Sequence, residues 1–176
     1  MRRIIFILIL VFLSGCGYTT RSMIDPNIKT IYVKPFENKI DFGAEDSAYS
    51  KLRTYYPRLE NDITTAVIDR FIFNGSLKVV KEEDADVILN GALAEYRRDV
   101  LRYDEDEDVE EYRLNIIVNI SLWNVKEQKN IWAENGFTGE TTYFVSGSKA
   151  KSESTAIKDG ITDLARRIVE RTVENW

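Results

Sequence analysis

Polar and apolar residues alternate most cleanly through Tyr112, Leu114, Ile116, Val118, Ile120 and Leu122, with Arg113, Asn115, Ile117, Asn119, Ser121 and Trp123 between them. A period of two puts the first set on one side of a strand and the second on the other. The spacing therefore predicts a strand over 112–125 with one dry face and one mostly wet face. Segments 86–103 and 130–143 have similar character, and the connections to them are short and polar, which demands antiparallel hairpins. Upstream, 28–33 is a β-branched run closed by Pro35, and 77–80 is a second short strand. Between them the period lengthens. After Pro57, Leu59, Ile63, Ala66, Val67 and Phe71 recur at spacings of three and four and stop at Asn74-Gly75, the pattern of an amphipathic helix. Two strands around one helix make a βαβ unit with parallel strands. Ile157, Ile161, Leu164, Ala165, Ile168 and Thr172 form the stripe of a long closing helix. The order β-α-β-β-β-β-α predicts an α+β, two-layer sandwich: two long helices on one face of a mixed four- to five-stranded sheet. Segment 38–56 is irregular and polar, with Gly43, and reads as a loop or as a loop that contains a frayed helix turn.

The N-terminus has a different logic. Two cations, Arg2 and Arg3, precede the ten-residue apolar run Ile4 to Leu13, and Ser14, Gly15 and Cys16 follow. Ten residues at helical rise span about 15 Å, half of a hydrocarbon core of about 30 Å. That is a signal peptide rather than a permanent span. Leu13-Ser14-Gly15-Cys16 resembles the bacterial lipobox, in which the thiol is alkylated by a diacylglycerol, the preceding bond is cut and the new amino group is acylated. The only cysteine of the chain stands at that position. A lone thiol in an exported chain has no partner for a disulfide, whereas acylation accounts for it. The organisation expected is a signal peptide at 1–15, a lipid-anchored tether at 16–27 and one α+β domain at 28–176. Gly17, in place of Asp after the cysteine, resembles the sorting pattern of outer-membrane lipoproteins, so the expected address is the periplasm-facing side of that membrane.

Composition narrows the chemistry. The 176 residues suit one ordinary domain, and none of them is histidine. Soft-metal sites and His-based nucleophile or general-base arrangements therefore have no ligands or bases. The net charge is −5 and becomes more negative once Arg2 and Arg3 are removed, the wrong sign for a nucleic-acid partner. The run Asp104-Glu105-Asp106-Glu107-Asp108 begins like an EF-hand loop, but Val109 stands where its glycine belongs and Asn115 where its bidentate glutamate belongs. It reads as a solvated hairpin tip, with loose divalent-cation binding as the weaker alternative. No cofactor, metal site or catalysis is expected.

Several segments together resemble the LPS-assembly lipoprotein family, LptE. They are Cys16-Gly17-Tyr18; 28–33 with Pro35-Phe36-Glu37-Asn38; Asp84-Ala85-Asp86-Val87-Ile88-Leu89-Asn90-Gly91; Glu111-Tyr112-Arg113-Leu114; and Ala165-Arg166-Arg167-Ile168-Val169-Glu170, ending at Trp176. The likeness spans the mature chain and departs at 40–56. It implies a non-enzymatic partner of the LptD outer-membrane β-barrel that plugs it, assists its assembly and binds lipopolysaccharide. A different outer-membrane lipoprotein, one that activates a periplasmic peptidoglycan synthase, is the alternative. In the predicted topology Arg102, Arg113, Lys149 and Lys151 collect at the end of the acidic tip, where they are candidates to meet the phosphates of the glycolipid. Ile117, Trp123 and Trp132 are candidates to meet a protein partner from the open sheet face or its rim; a strand bulge that turns a tryptophan into the core is the competing reading.

Overall fold

The computed structural model describes residues 25, 27–40 and 56–174. The signal peptide, Cys16 and most of the tether, as well as 41–55, lie outside the described residues.

The chain runs through β1 (Thr30–Val33), β2 (Glu37–Asn38), α1 (Leu59–Asn74), β3 (Lys78–Val79), β4 (Val87–Tyr103), β5 (Val109–Asn124), β6 (Lys129–Phe144) and α2 (Glu153–Glu174). One mixed sheet has the order β3-β1-β4-β5-β6. β1 pairs parallel with both β3 and β4, and the β4–β5 and β5–β6 hairpins are antiparallel. The predicted α+β sandwich is the observed fold. The added element is β2, two residues that pair with β4 after the chain has left the sheet at Val33.

Local chemistry sets the ends of the elements. Gly75 takes the left-handed conformation (φ 72°) that closes α1, and its N–H donates to the Phe71 carbonyl at 3.0 Å. The start of β1 is held by Asp86, whose carboxylate accepts from the backbone N–H groups of Lys29 (2.8 Å) and Thr30 (2.9 Å) and from the Thr30 hydroxyl. The N–H donated by Lys29 is the main reason that the Asp86 carboxyl stays below the usual carboxylate range.

Both helices cover the same sheet face. Leu114, Ile116, Val118, Ile120 and Leu122 of β5 are buried there with Ile63, Val67 and Phe71 of α1 and Leu164 and Ile168 of α2. α2 lies very close: a Cβ on Gly139 would stand 2.5 Å from the Leu164 Cβ and 2.9 Å from the Gly160 carbonyl oxygen. Glycine is needed because backbone sits where a side chain would go.

Five register shifts interrupt the two hairpins, and two of them divide the covered face. Between Leu93 and Glu95 the β4–β5 register shifts, and between Val118 and Ile120 the β5–β6 register shifts; a further shift at Leu122/Trp123 sets Asn130 on the open face although Trp132 is on the covered one. Each reverses the sidedness of one strand. On β4 the covered residues are Val87, Leu89 and Leu93 before the bulge and Tyr96 after it. On β6 they are Trp132 before the bulge and Gly139 and Tyr143 after it.

The sheet outruns its helical cover. The 17 residues of β4 extend about 55 Å and the 22 of α2 about 33 Å. α2 starts against Tyr96 and Arg98, through Glu153, and ends with Arg171 against Glu134. The β4–β5 hairpin projects past it, and Leu101 and Tyr103 are exposed there.

Candidate functional site

Among the described residues no group of three or more cysteines, aspartates and glutamates is placed to hold a metal ion. The acidic tip is a folded turn. The Asp104 carboxylate accepts from the N–H groups of Asp106 (3.0 Å) and Asp108 (2.9 Å), with Glu107 at φ 65°. One of its five carboxylates is thus committed to the backbone, as in an Asx turn. The chemistry on offer is that of surfaces.

The uncovered sheet face carries most of it. Toward the tip, the guanidinium of Arg97 reaches Asp99 at 3.1 Å and Glu95 at 3.5 Å, and the Asn115 amide donates to the same Asp99 carboxylate at 2.8 Å. Asn115 is almost fully buried although it belongs to the wet face, because these neighbours close over it. Arg113 lies 3.2 Å from Glu140 across the β5–β6 pair, without the alignment of a hydrogen bond. Toward the other end the face changes to amides and small residues, with Trp123 flanked by Ile88 on β4 and Asn130 on β6.

The four basic candidates do not form one cluster. Arg102 and Arg113 belong to the open face. Arg102 is 3.6 Å from Glu111 and stands over the Phe144 ring, 5.9 Å from its centroid. Lys151 turns to the helix layer, where it pairs with Asp159 of α2 at 2.5 Å. Lys149 is exposed in the 145–152 connection. Three of the four cations already face a carboxylate.

The aromatic candidates divide as well. Ile117 and Trp123 stand half-buried on the open face. Trp132 does not: the register sets it opposite Leu122, so it is buried on the covered face with the Arg171 guanidinium 4.9 Å from its ring centroid. That guanidinium is fixed by Glu134 at 2.7 Å. The tryptophan packs the end of α2 onto the sheet, which is the core alternative weighed for it.

On the covered side, the first turn of α2 is clamped. The Tyr96 hydroxyl donates to Glu153 at 3.0 Å, and Arg98 pairs with the same carboxylate at 2.8 Å while lying over the Tyr112 ring. Burial first, and the Glu153 charge second, push the Tyr96 hydroxyl well above its ordinary titration range, so it is a neutral donor at all physiological pH.

Sequence reasoning missed the apolar residues that point outward. Ile72 and Phe73 at the end of α1 are 64% and 81% exposed. Phe73 borders a groove of about 290 Å³ between the helices, lined also by Ala66, Arg70, Thr162 and Ala165. Their signal was present, since both fall off the three-and-four stripe of the helix.

Solved structures share this fold at low identity. A protein of Xanthomonas campestris aligns at 12% identity over 85% of this chain and 88% of its own, with a TM-score of 0.54. A hypothetical protein of Chlamydia trachomatis aligns at 14% over 82% and 95%, also at 0.54. A minor lipoprotein of Acinetobacter baumannii aligns at 18% over 84% and 94%, at 0.52. No curated protein matches the sequence. The family model described as "LptE: Lipopolysaccharide-assembly" matches residues 28–172, which is nearly the whole of the domain just described. On that match the chain belongs to the LptE family, a non-enzymatic family of lipoproteins with a role in lipopolysaccharide assembly.

Proposed function

We propose that this chain is an outer-membrane lipoprotein, fixed by acyl chains on Cys16 in the periplasm-facing leaflet, that docks into an LptD-type β-barrel as a plug and assists delivery of lipopolysaccharide to the cell surface. The observation that carries the reading is a sheet with one face sealed by two helices and the other left open and mostly polar, with Ile117 and Trp123 among its few apolar residues. A barrel interior is polar, and a rigid wedge with a wet face matches it without burying unpaired charge. Two or three acyl chains make attachment stable where a single chain would be reversible. The peptidoglycan-synthase alternative is not favoured by the family to which the chain belongs.

Affinity purification from detergent-solubilised outer membranes tests the partner. Recovery of a large β-barrel with the chain is expected, and a preparation free of any outer-membrane barrel overturns the reading. Cys16→Ser should move the protein to the soluble periplasmic fraction.

Within this reading Ile117 and Trp123 belong to the partner contact on the open face. Arg102 and Arg113 on the open face, and Lys149 and Lys151 in the 145–152 connection, are two separate contacts for the lipid A phosphates, which compete with Glu111, Glu140 and Asp159 for three of these cations. Replacing all four by alanine should weaken binding of the full chain to lipopolysaccharide; unchanged binding removes the assignment.

A further inference from the structure

The half of the open face away from the acidic tip holds a depression of about 310 Å³. Its floor is made of the small side chains of Ala92 of β4 and Ala133 of β6 and of the backbone at Gly91 and Ile120, whose own side-chain positions lie on the covered side. Its walls are Asn90, Asn119, Ser121, Asn130 and Asn135. The cause is the β6 bulge. Gly136, at φ 72°, donates its N–H to the Asn119 side-chain oxygen at 2.9 Å, which leaves the Asn119 NH₂ group free to face outward. Among the described residues, the side chains of Asn90, Ser121, Asn130 and Asn135 make no hydrogen bond of their own.

One rim is charged. Glu37 lies between Lys34, at 3.9 Å, and Lys39, at 3.2 Å, so two cations share one carboxylate and the rim keeps an excess positive charge in a chain that is acidic overall. Four amides and a hydroxyl offer donors and acceptors side by side, the complement of vicinal sugar hydroxyls. A floor without large side chains admits a ring close to the backbone, and the cationic rim favours an anionic substituent.

From this juxtaposition we infer that the depression is a saccharide-binding site for an oligosaccharide with acidic substituents. It is separate from Arg102, Arg113, Lys149 and Lys151, and it does not depend on the barrel partner. With few hydrogen bonds and no aromatic wall, its affinity is weak, on the order of millimolar, which suits a surface that a glycan crosses and leaves. Such a sugar has two periplasmic sources, the core of a lipopolysaccharide or the glycan of peptidoglycan.

Saturation-transfer NMR on the full chain, in a phosphocholine detergent so that no detergent sugar competes, tests this. One arm uses delipidated core oligosaccharide released from lipopolysaccharide by mild acid, and the other a peptidoglycan glycan tetrasaccharide. Transfer to at least one acidic oligosaccharide is expected, with affinity reduced about ten-fold in Asn130→Ala/Asn135→Ala and reduced also in Lys39→Glu. These three positions are exposed, so circular dichroism should show an unchanged fold. Absence of transfer from both sugars, or transfer that both variants leave intact, overturns the inference. Since the assay contains no barrel, its outcome is independent of the co-purification result.

Discussion

The two halves of the uncovered sheet face are both polar, but they spend their polar groups in opposite ways. Toward the acidic tip, Glu95, Arg97, Asp99 and Asn115 bind one another so completely that an asparagine on the solvent side is buried. Around Asn90 and Ser121, groups of the same type are left without partners over a floor of small residues. A surface that satisfies itself is part of the fold, and its substitution costs stability. A surface that leaves its donors to water costs the fold little to change and is available to a ligand. Polarity alone does not tell the two apart; the register of the strands does.

This contrast can be broken from the largest effect downward. Gly139→Val strikes the layer that keeps one face dry: the new side chain meets the Gly160 carbonyl and Leu164, and α2 must lift from the sheet. A stability loss of about 3 kcal/mol in urea unfolding is expected. Next, Asp99→Leu removes the group shared by Arg97 and the buried Asn115, and a loss of about 2 kcal/mol should appear in the same titration. If it is below about 0.5 kcal/mol, the network is not part of the fold and the contrast fails.

Asp86 adds a test in pH. Its carboxyl titrates below the ordinary value of 3.8 in the folded chain, so the folded state disfavours the proton. Its contribution is present above the unfolded value and is lost as pH falls through the lower folded value. Wild type should therefore lose more stability than Asp86→Asn between neutral pH and pH below 3.8, measured by thermal unfolding. The smallest change belongs to the amide half: Asn130→Ala/Asn135→Ala should leave stability within about 0.5 kcal/mol while removing the sugar contact.

Much of the fold was legible. The alternation in β5 predicted its covered face residue by residue, from Leu114 to Leu122, and the stripe of α2 predicted Ile157, Ile161, Leu164, Ala165, Ile168 and Thr172 as buried. The flanking strands were harder for a physical reason. A bulge inverts the sidedness of every residue beyond it, and β4 and β6 each carry two such insertions, at Leu93/Glu95 and Val100/Arg102 on β4 and opposite Val118/Ile120 and Leu122/Trp123 on β6, so neither reads as a single alternation. Trp132 is the clearest case, since only its pairing with Leu122 decides that it faces α2. The partners of Arg102, Arg113 and Lys151 likewise depend on cross-strand and helix–sheet neighbours rather than on sequence spacing. β2 was not legible either: two polar residues carry no period, and they pair because Phe36, buried beside Gly91, draws the chain back to the sheet.

Those inversions have a mechanical side. A uniform strand can slide by two residues along its neighbour and keep every greasy side chain in the dark, so shear meets only local resistance. β6 is keyed: Trp132 and Tyr143 lie on one side of the sheet although their positions differ in parity, and Gly136 fits only opposite Asn119. Any slip would part the Gly136 N–H from the Asn119 side chain, and a one-residue slip would also turn Trp132 and Tyr143 to water. A domain pulled along its sheet would thus hold its alignment until the keyed contacts yield.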